Sequence, residues 1–189
     1  MEGVGVREIL VSALEDQDPD VRKAAAAALD RLEEQGSVER LIQRFGSENL
    51  RDRVQAVYGL GRLRDQRARE ALLAALADPV VDIRAAAARI LAESPDGRMV
   101  EPLIERIEDP EAIVRRAAIT ALGLSGDARV APFVETALDD PDPAVVRDAL
   151  EALSRIGGAR LDRVLGFTEH QNPRIRAAAL SVLPEARSD

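Results

Sequence analysis

The sequence of 189 residues has no cysteine, no tryptophan and a single histidine, and aromatic residues make up only 2% of it. Without cysteine, the chain has no disulfides, no zinc–thiolate sites and no thiol nucleophiles. Nucleophilic triads and most metal sites need histidine or cysteine, and one histidine leaves little to build either. We therefore predict no catalytic residues, no metal site and no cofactor.

Long apolar runs are also missing. No stretch approaches the ~20 apolar residues that a membrane span needs, and the first ten residues lack the basic start and apolar core of a signal peptide. We therefore expect a cytoplasmic protein with no membrane partner. The formal net charge of -8 argues against a general nucleic-acid binder, because such affinity rests on a basic surface.

What remains is rich in small and unbranched apolar residues. Hydrophobic residues make up 46% of the chain, and alanine and leucine are prominent among them. These residues favour helices and let helices approach closely. The β-branched and aromatic runs that strands prefer are scarce. The composition predicts an all-α protein.

A period of 31 residues runs through several columns of the sequence at once. Such a period over apolar and polar positions together indicates tandem duplication and a repeat architecture. Stacked repeats bury a continuous core that no single repeat could bury alone. The leucine column contains Leu29, Leu60, Leu91, Leu122 and Leu153, and the alanine column contains Ala25, Ala56, Ala87, Ala118 and Ala149.

Each repeat has the pattern of two helices. Asp-Pro or Asn-Pro pairs, such as Asp78-Pro79, predict a helix N-cap followed by proline in the first turn. Glycines, such as Gly36, predict the turns that end the second helices. We predict one domain over residues 1–189, with repeats at 6–36, 37–66, 67–97, 98–128, 129–159 and 160–186. The predicted helices are 6–15, 19–33, 37–46, 50–63, 67–77, 80–93, 98–108, 111–124, 129–138, 143–156, 160–168 and 173–185.

The segments DPDVRKAAAAAL (18–29), DIRAAAARIL (82–91) and VRRAAITALG (114–123) resemble HEAT-like repeats, in particular the short class known from phycobilin lyase subunits. The resemblance covers nearly the whole chain. It implies a right-handed α-solenoid of six two-helix repeats. It indicates the fold far more strongly than the function, because such arrays serve many partners.

The resemblance also implies a ladder of Asp and Arg side chains that ties neighbouring repeats together. Three positions depart from this pattern. Ser47 replaces the aspartate in the second repeat, Val146 replaces the arginine in the fifth, and His170 stands near the aspartate position in the sixth. The ladder positions are Asp16, Asp78, Asp109 and Asp140, together with Arg22, Arg53, Arg84, Arg115 and Arg176.

Positions one, two, five and nine residues after the ladder arginine are expected on the exposed, concave face of the second helices. We call the candidate partner-binding residues there the basic ridge. Seven of its members are basic in a chain that is acidic overall, although Glu93 and Asp148 also fall on this face. The basic ridge consists of Lys23, Arg31, Gln55, Tyr58, Arg62, Arg89, Arg116, Thr120, Arg147, Glu151 and Arg155.

The basic ridge favours a non-enzymatic scaffold or adaptor that grips an acidic segment of another protein, because Tyr and Arg are common at binding hot spots. A simpler interpretation is that arginine is a solvated helix former and Tyr58 fills a gap. One alternative function is a bilin lyase-type or chaperone-like subunit that handles a tetrapyrrole. Another is nucleic-acid binding, as in HEAT-like DNA glycosylases, although those sites use aromatic stacking and a basic net charge.

Two further expectations concern single features. Deoxyhypusine hydroxylase, which has related repeats, holds iron with several His-Glu pairs, whereas this chain has only Glu169-His170 in reversed order. The first helix carries apolar Ile9, Leu10 and Val11 near the chain start. Because terminal repeats need a polar outer face or a neighbour, self-association through the N-terminal repeat is an open hypothesis.

Overall fold

The computed structural model describes residues 5–186, apart from the side chains of residues 34 and 35. Within that range the chain forms eleven α-helices joined by short turns and 3₁₀ segments, so the all-α prediction is confirmed. The helices are α1 (Val6–Ala13), α2 (Pro19–Phe45), α3 (Leu50–Gly61), α4 (Gln66–Ala75), α5 (Val81–Ala92), α6 (Val100–Glu105), α7 (Ala112–Ser125), α8 (Ala131–Thr136), α9 (Pro143–Ile156), α10 (Leu161–Leu165) and α11 (Pro173–Val182).

Helix α2 corrects one prediction. The sequence predicts a break at Gly36 between helices 19–33 and 37–46, but α2 continues through it. Gly36 does not have the positive φ of a C-cap glycine, and no proline follows it to stop the helix. The Ser37 hydroxyl donates to the Glu33 carbonyl at 2.9 Å, as it can inside a helix.

The Asp-Pro pairs mark helix starts at some turns and not at others. Asp18 and Asp142 are N-caps with proline following, as predicted, and each accepts a bond from a backbone N–H two residues on. At Asp78-Pro79 the prediction is wrong, since α5 begins at Val81 with Val80 as its N-cap. The Asp78 side chain instead accepts a bond from the Val80 N–H at 2.8 Å, which shapes the turn before the helix.

The described residues group into two compact units, one ending at Ala56 and the other starting at Val57. In the first unit α1 packs against α2. Apolar residues of α1 are exposed, among them Val6 at 66%. The single domain over residues 1–189 stays a prediction.

In the second unit, α5, α7, α9 and α11 pack against one another in chain order. The leucine column lies between them, and its members in this unit are at most 1% exposed. The first helices of these repeats, α6, α8 and α10, are short and end in 3₁₀ turns rather than continuing as one helix each. This stacking of equivalent helices confirms the predicted α-solenoid architecture. The handedness of the solenoid stays a prediction.

Two glycines let the second helices approach closely. A Cβ on Gly123 would lie 2.7 Å from the Ala152 Cβ and 2.9 Å from its Cα. A Cβ on Gly61 would lie 2.5 Å from Ile90 Cγ2. Small residues at these crossings bring consecutive repeats together and fix the spacing of the side chains that they expose.

Candidate functional site

The predicted ladder joins consecutive repeats in the second unit at two places. Arg84 donates to both carboxylate oxygens of Asp109, at 2.7 and 2.9 Å, and its third nitrogen donates to the Asp78 carbonyl at 2.8 Å. Arg115 repeats the arrangement with Asp140, at 2.7 and 2.9 Å, and with the Asp109 carbonyl at 2.9 Å. The ladder is confirmed at these joints, and its side chains are structural.

The ladder carboxylates stay ionised because of their partners. Burial raises the pKa of Asp109, but the hydrogen bonds from the Arg84 guanidinium and the Glu111 N–H outweigh it and hold that pKa below its ordinary value. The pKa of Asp140 is lowered in the same way, with burial opposed by Arg115 and the Asp142 N–H. The Arg84 pKa is raised, chiefly by its hydrogen bond to Asp109.

Where the sequence departs from the ladder pattern, part of the ladder geometry is retained. His170 Nδ1 accepts the Asn172 N–H at 3.0 Å, which is the turn contact that an aspartate makes elsewhere. Arg176 donates to the His170 carbonyl at 2.8 Å. Val146, in the arginine position, is buried and offers no such donor. The sole histidine therefore shapes a turn in this structure.

Part of the basic ridge in the second unit forms a compact ion-pair cluster. Arg116 Nε donates to Asp148 Oδ2 at 2.7 Å, across from α7 to α9. Arg147 Nε donates to Asp148 Oδ1 at 3.0 Å and lies 3.5 Å from a Glu151 carboxylate oxygen. Asp148 is only 7% exposed. Its charge and that of Glu151 offset the two arginines, so these basic ridge members are engaged within the protein.

Other basic ridge residues of the second unit remain open to a partner. Among the described residues, Arg62, Arg89 and Arg155 make no ion pair, and all three are exposed. Tyr58 is 49% exposed and Thr120 is half-buried. The Arg155 guanidinium comes within 3.7 Å of the position that a Gly123 Cβ would take, so it lies along the α7–α9 crossing.

The basic ridge residues of the first unit are exposed on α2 and α3. Arg31 donates to the Ala27 carbonyl at 3.1 Å, and the Gln55 side-chain oxygen accepts from Arg44 at 2.7 Å. Lys23 makes no ion pair in the part of the chain that the structure describes. All three residues are therefore exposed, but Arg31 and Gln55 already make hydrogen bonds within the protein, whereas Lys23 makes no ion pair with the described residues.

In the second unit, the rule that placed the basic ridge fails throughout at one of its four offsets and in a single repeat at another. The position two residues after the ladder arginine was expected to be exposed, yet Ala86, Ala117 and Asp148 are buried there. Ala85, one residue after Arg84, is also buried. Neighbouring second helices pack over these positions, so the exposed face is narrower than the helical spacing predicts.

Within residues 5–186, no cluster of three or more His, Asp or Glu side chains is arranged to hold a metal ion. None of the helices described there is both long and apolar enough to pass through a bilayer.

Family models describe most of the chain. The model for HEAT repeats matches residues 38–112 and 100–184, and the model for a single HEAT repeat matches residues 6–35. A comparison with curated protein sequences gives no match.

Solved structures of similar shape include a natural lyase complex. A chain of the CpcE–CpcF complex of phycocyanin lyase from Nostoc sp. PCC7120 is 29% identical, with a TM-score of 0.70. The match covers 78% of this chain and 64% of that chain. This chain therefore spans less than two thirds of the lyase chain's length.

Two more distant structures share the fold alone. A designed armadillo repeat protein in complex with the peptide (KR)4 is 16% identical, with a TM-score of 0.64 over 97% of this chain and 100% of that one. Human deoxyhypusine hydroxylase in complex with glycerol is 20% identical, with a TM-score of 0.61 over 86% of this chain and 67% of that one.

Proposed function

Because this chain belongs to the HEAT-repeat family, we propose that it is a non-enzymatic scaffold that holds an acidic segment of another protein on the basic ridge. HEAT-like arrays expose one face of every repeat, and a partner that lies across several repeats contacts equivalent positions of each. In this proposal the second helices supply the binding surface and the ladder keeps those helices in place.

The observation that carries the proposal is the difference between paired and unpaired arginines on the second helices or directly after them. Arg116 and Arg147 are held by Asp148, whereas Arg62, Arg89 and Arg155 make no ion pair within the described residues. In an acidic chain, exposed and uncompensated cations favour the approach of an acidic partner.

Charge reversal at Arg89 and Arg155 tests the proposal. Binding of a fluorescein-labelled, glutamate-rich peptide at low ionic strength should weaken by at least about tenfold in the Arg89→Glu, Arg155→Glu variant, because charged hydrogen bonds to the peptide are lost. Fluorescence anisotropy measures the affinity, and the melting temperature should stay unchanged. Arg116 is unsuitable for this test, because its reversal would set a second carboxylate against buried Asp148.

The matched control carries the same charge change elsewhere. Arg51 and Arg174 are exposed and lie outside the basic ridge, so the Arg51→Glu, Arg174→Glu variant should keep wild-type affinity. A labelled peptide with glutamine in place of glutamate should bind neither protein. Equal loss of affinity in both variants would mean that only net charge matters, and the basic ridge would then not be the site.

A second candidate function follows from the similarity to the phycocyanin lyase chain. The protein would be a lyase-type or chaperone-like subunit, and exposed arginines would pair with the two propionates of a tetrapyrrole. Titration of a bilin with the pure protein would then shift the bilin absorbance spectrum. An unchanged spectrum would eliminate this candidate and leave the scaffold proposal untouched.

Two partner classes remain as subordinate proposals. The exposed apolar residues of α1, Val6 and Ile9 among them, would support self-association, and sedimentation analysis over a range of protein concentrations would detect it. Nucleic-acid binding along the basic ridge would give a gel shift at low salt. We expect no gel shift, because the net charge is -8 and nucleic-acid affinity depends on phosphate neutralisation.

A further inference from the structure

A cavity of about 730 Å³ lies in the second unit, at the edge where α3 ends and α4 begins. Cavities of this size commonly hold small organic groups. Its wall contains four arginines against two carboxylates, and aliphatic side chains such as Leu63 and Ile90 complete it. The arginines are Arg62, Arg64, Arg69 and Arg98.

The next repeat contains an equivalent cavity whose wall keeps two carboxylates but not the arginines. It measures only about 130 Å³ and has no arginine in its wall. Five of its six wall residues stand 31 positions after wall residues of the large cavity, so the two places are equivalent in the repeat. The corresponding pairs are Arg64 and Pro95, Asp65 and Asp96, Gln66 and Gly97, Arg69 and Val100, and Ser94 and Ser125.

Pro95 and Val100 stand where the large cavity has Arg64 and Arg69, so the repeat scaffold does not require arginine at these two positions. Two of the four, Arg69 and Arg98, share the carboxylate of Asp96, at 3.2 and 2.9 Å. Arg69 also donates to the Ser94 carbonyl at 2.6 Å, and its Nη1 is buried with no hydrogen-bond partner among the described residues. These contacts fix Arg69 in the cavity wall and leave it with an unused donor.

The other two arginines are uncommitted. Arg62 and Arg64 make no ion pair within the described part of the chain. Of the two carboxylates in the wall, Asp65 already accepts the N–H groups of Arg67 and Ala68, at 2.7 and 3.3 Å. Glu93 is the one wall carboxylate without such bonds in the described structure. The wall thus presents two guanidinium groups against one carboxylate that are unpaired within the described residues, beside aliphatic side chains.

We propose that this cavity binds a carboxylate group on a short aliphatic stem, with Arg62 and Arg64 as its partners. Guanidinium groups pair with carboxylates through parallel hydrogen bonds, and Leu63 and Ile90 would contact the stem. The carboxylate can come from an acidic side chain or from the end of a peptide chain. This inference rests on the proposed function, because the acidic segment would supply the carboxylate. The cavity itself lies at the turn edge and includes Arg64, which is outside the basic ridge.

Titrations followed by NMR can separate the two sources. N-acetyl-leucine mimics a chain end, N-acetylglutamic acid α-amide mimics an acidic side chain, and N-acetyl-leucinamide is the neutral control. One or both carboxylates should produce saturable shifts of the backbone signals of Leu63 and Ser94 at constant ionic strength, and Thr136 should not shift. The neutral amide should shift none of them.

Substitution of Arg64 by glutamine should weaken carboxylate binding on the order of tenfold, and the matched Arg51→Gln change should leave it unaltered. Absence of saturable shifts with both carboxylates, or an Arg64→Gln affinity equal to wild type, would overturn the cavity assignment. Peptide binding that is lost in the Arg89 and Arg155 double variant would still stand in that case. Conversely, cavity binding that persists while the peptide fails to bind would reject the scaffold proposal alone.

Discussion

Each ladder arginine in the second unit satisfies several acceptors at once. Arg84 contacts the carboxylate of Asp109 in the following repeat and carbonyls of its own turn, Asp78 O and Pro79 O. Both charged residues are nearly excluded from solvent, with 8% and 5% exposure. Removal of one partner from a pair of this kind leaves a buried charge without compensation, which costs far more than the loss of a surface ion pair.

The Asp109→Asn substitution should therefore lower the free energy of unfolding by about 3 kcal/mol. The amide cannot accept two hydrogen bonds from Arg84 in the same manner, and Arg84 stays charged. Urea unfolding followed by circular dichroism measures the change. The control is Arg129→Gln, which removes an exposed ion pair with Asp127 and should change stability much less; equal effects of the two substitutions would contradict a dominant role for burial.

The ladder carboxylates Asp109 and Asp140 also make the stability of the fold depend on pH. The folded-state pKa values of Asp109 and Asp140 are lowered, so their stabilisation is present above the unfolded-state value of about 3.9 and is lost as pH falls through the folded-state value. The stability difference between wild type and Asp109→Asn should shrink as pH falls below about 4. Unfolding curves over an acidic pH series measure it, and parallel curves would refute the assignment.

The ladder could be predicted from the sequence, because its residues sit in repeated columns and the resemblance to HEAT-like repeats implies how those columns pair. The cluster around Asp148 could not be predicted, since Asp148 occurs in one repeat only and lies 32 residues after Arg116. Arg64 and Arg69 were missed for the same reason, as they have no arginine 31 residues later. The repeated columns report the fold, and residues outside those columns have to be located in the structure.

At the scale of the helices, α7 and α9 approach so closely at Gly123 that no side chain fits. The Gly123→Ala substitution should lower the free energy of unfolding by about 1–3 kcal/mol, because its methyl group would meet the Ala152 backbone and force the helices apart. Chemical denaturation measures the loss. Gly97→Ala is the matched control, because a Cβ there has nothing within 4 Å, and stability that is unchanged in both variants would contradict the close crossing.

Helix α2 leads to a prediction of opposite sign. Alanine at Gly36 should raise the free energy of unfolding by about 0.5–1 kcal/mol, since glycine inside a helix costs conformational entropy. Alanine at Gly126, whose φ is 67° at the end of α7, should lower it by about 1 kcal/mol. Thermal denaturation compares the two, and a destabilising Gly36→Ala change would indicate the helix break that the sequence predicted.

Helix positions were predictable to within a few residues, but helix continuity was not. Glycine can end a helix or lie within one. Which of the two occurs depends on the φ angle of the glycine, and the sequence leaves that angle open at Gly36. The Asp-Pro signal was ambiguous for a related reason, because the same pair caps α9 at Asp142 and lies in the turn before α5 at Asp78. Only the position of the following helix distinguishes the two uses.

Across the whole molecule, burial is distributed unevenly between the two units. Among the described apolar residues up to Ala56, only Ala25, Val38 and Ala56 are buried, whereas the leucine and alanine columns after Val57 form a continuous core. Regions with little buried apolar surface open most readily. Backbone amides of α2 should therefore exchange with solvent deuterium faster than those of α7 and α9, and hydrogen exchange with mass spectrometry measures this; equal protection of all three helices would contradict it.

The ladder also has a direction. Both described joints run from an arginine to an aspartate 25 residues later, so a repeat with both ladder residues carries a donor toward its successor and an acceptor toward its predecessor. Excision of the 31 residues 85–115 would join Arg84 to the segment that carries Asp140, in the register that Arg115 occupies. Duplication and loss of whole repeats can thus lengthen or shorten the array without inventing a new interface, while an insertion of any other length would leave an unmatched donor at the seam.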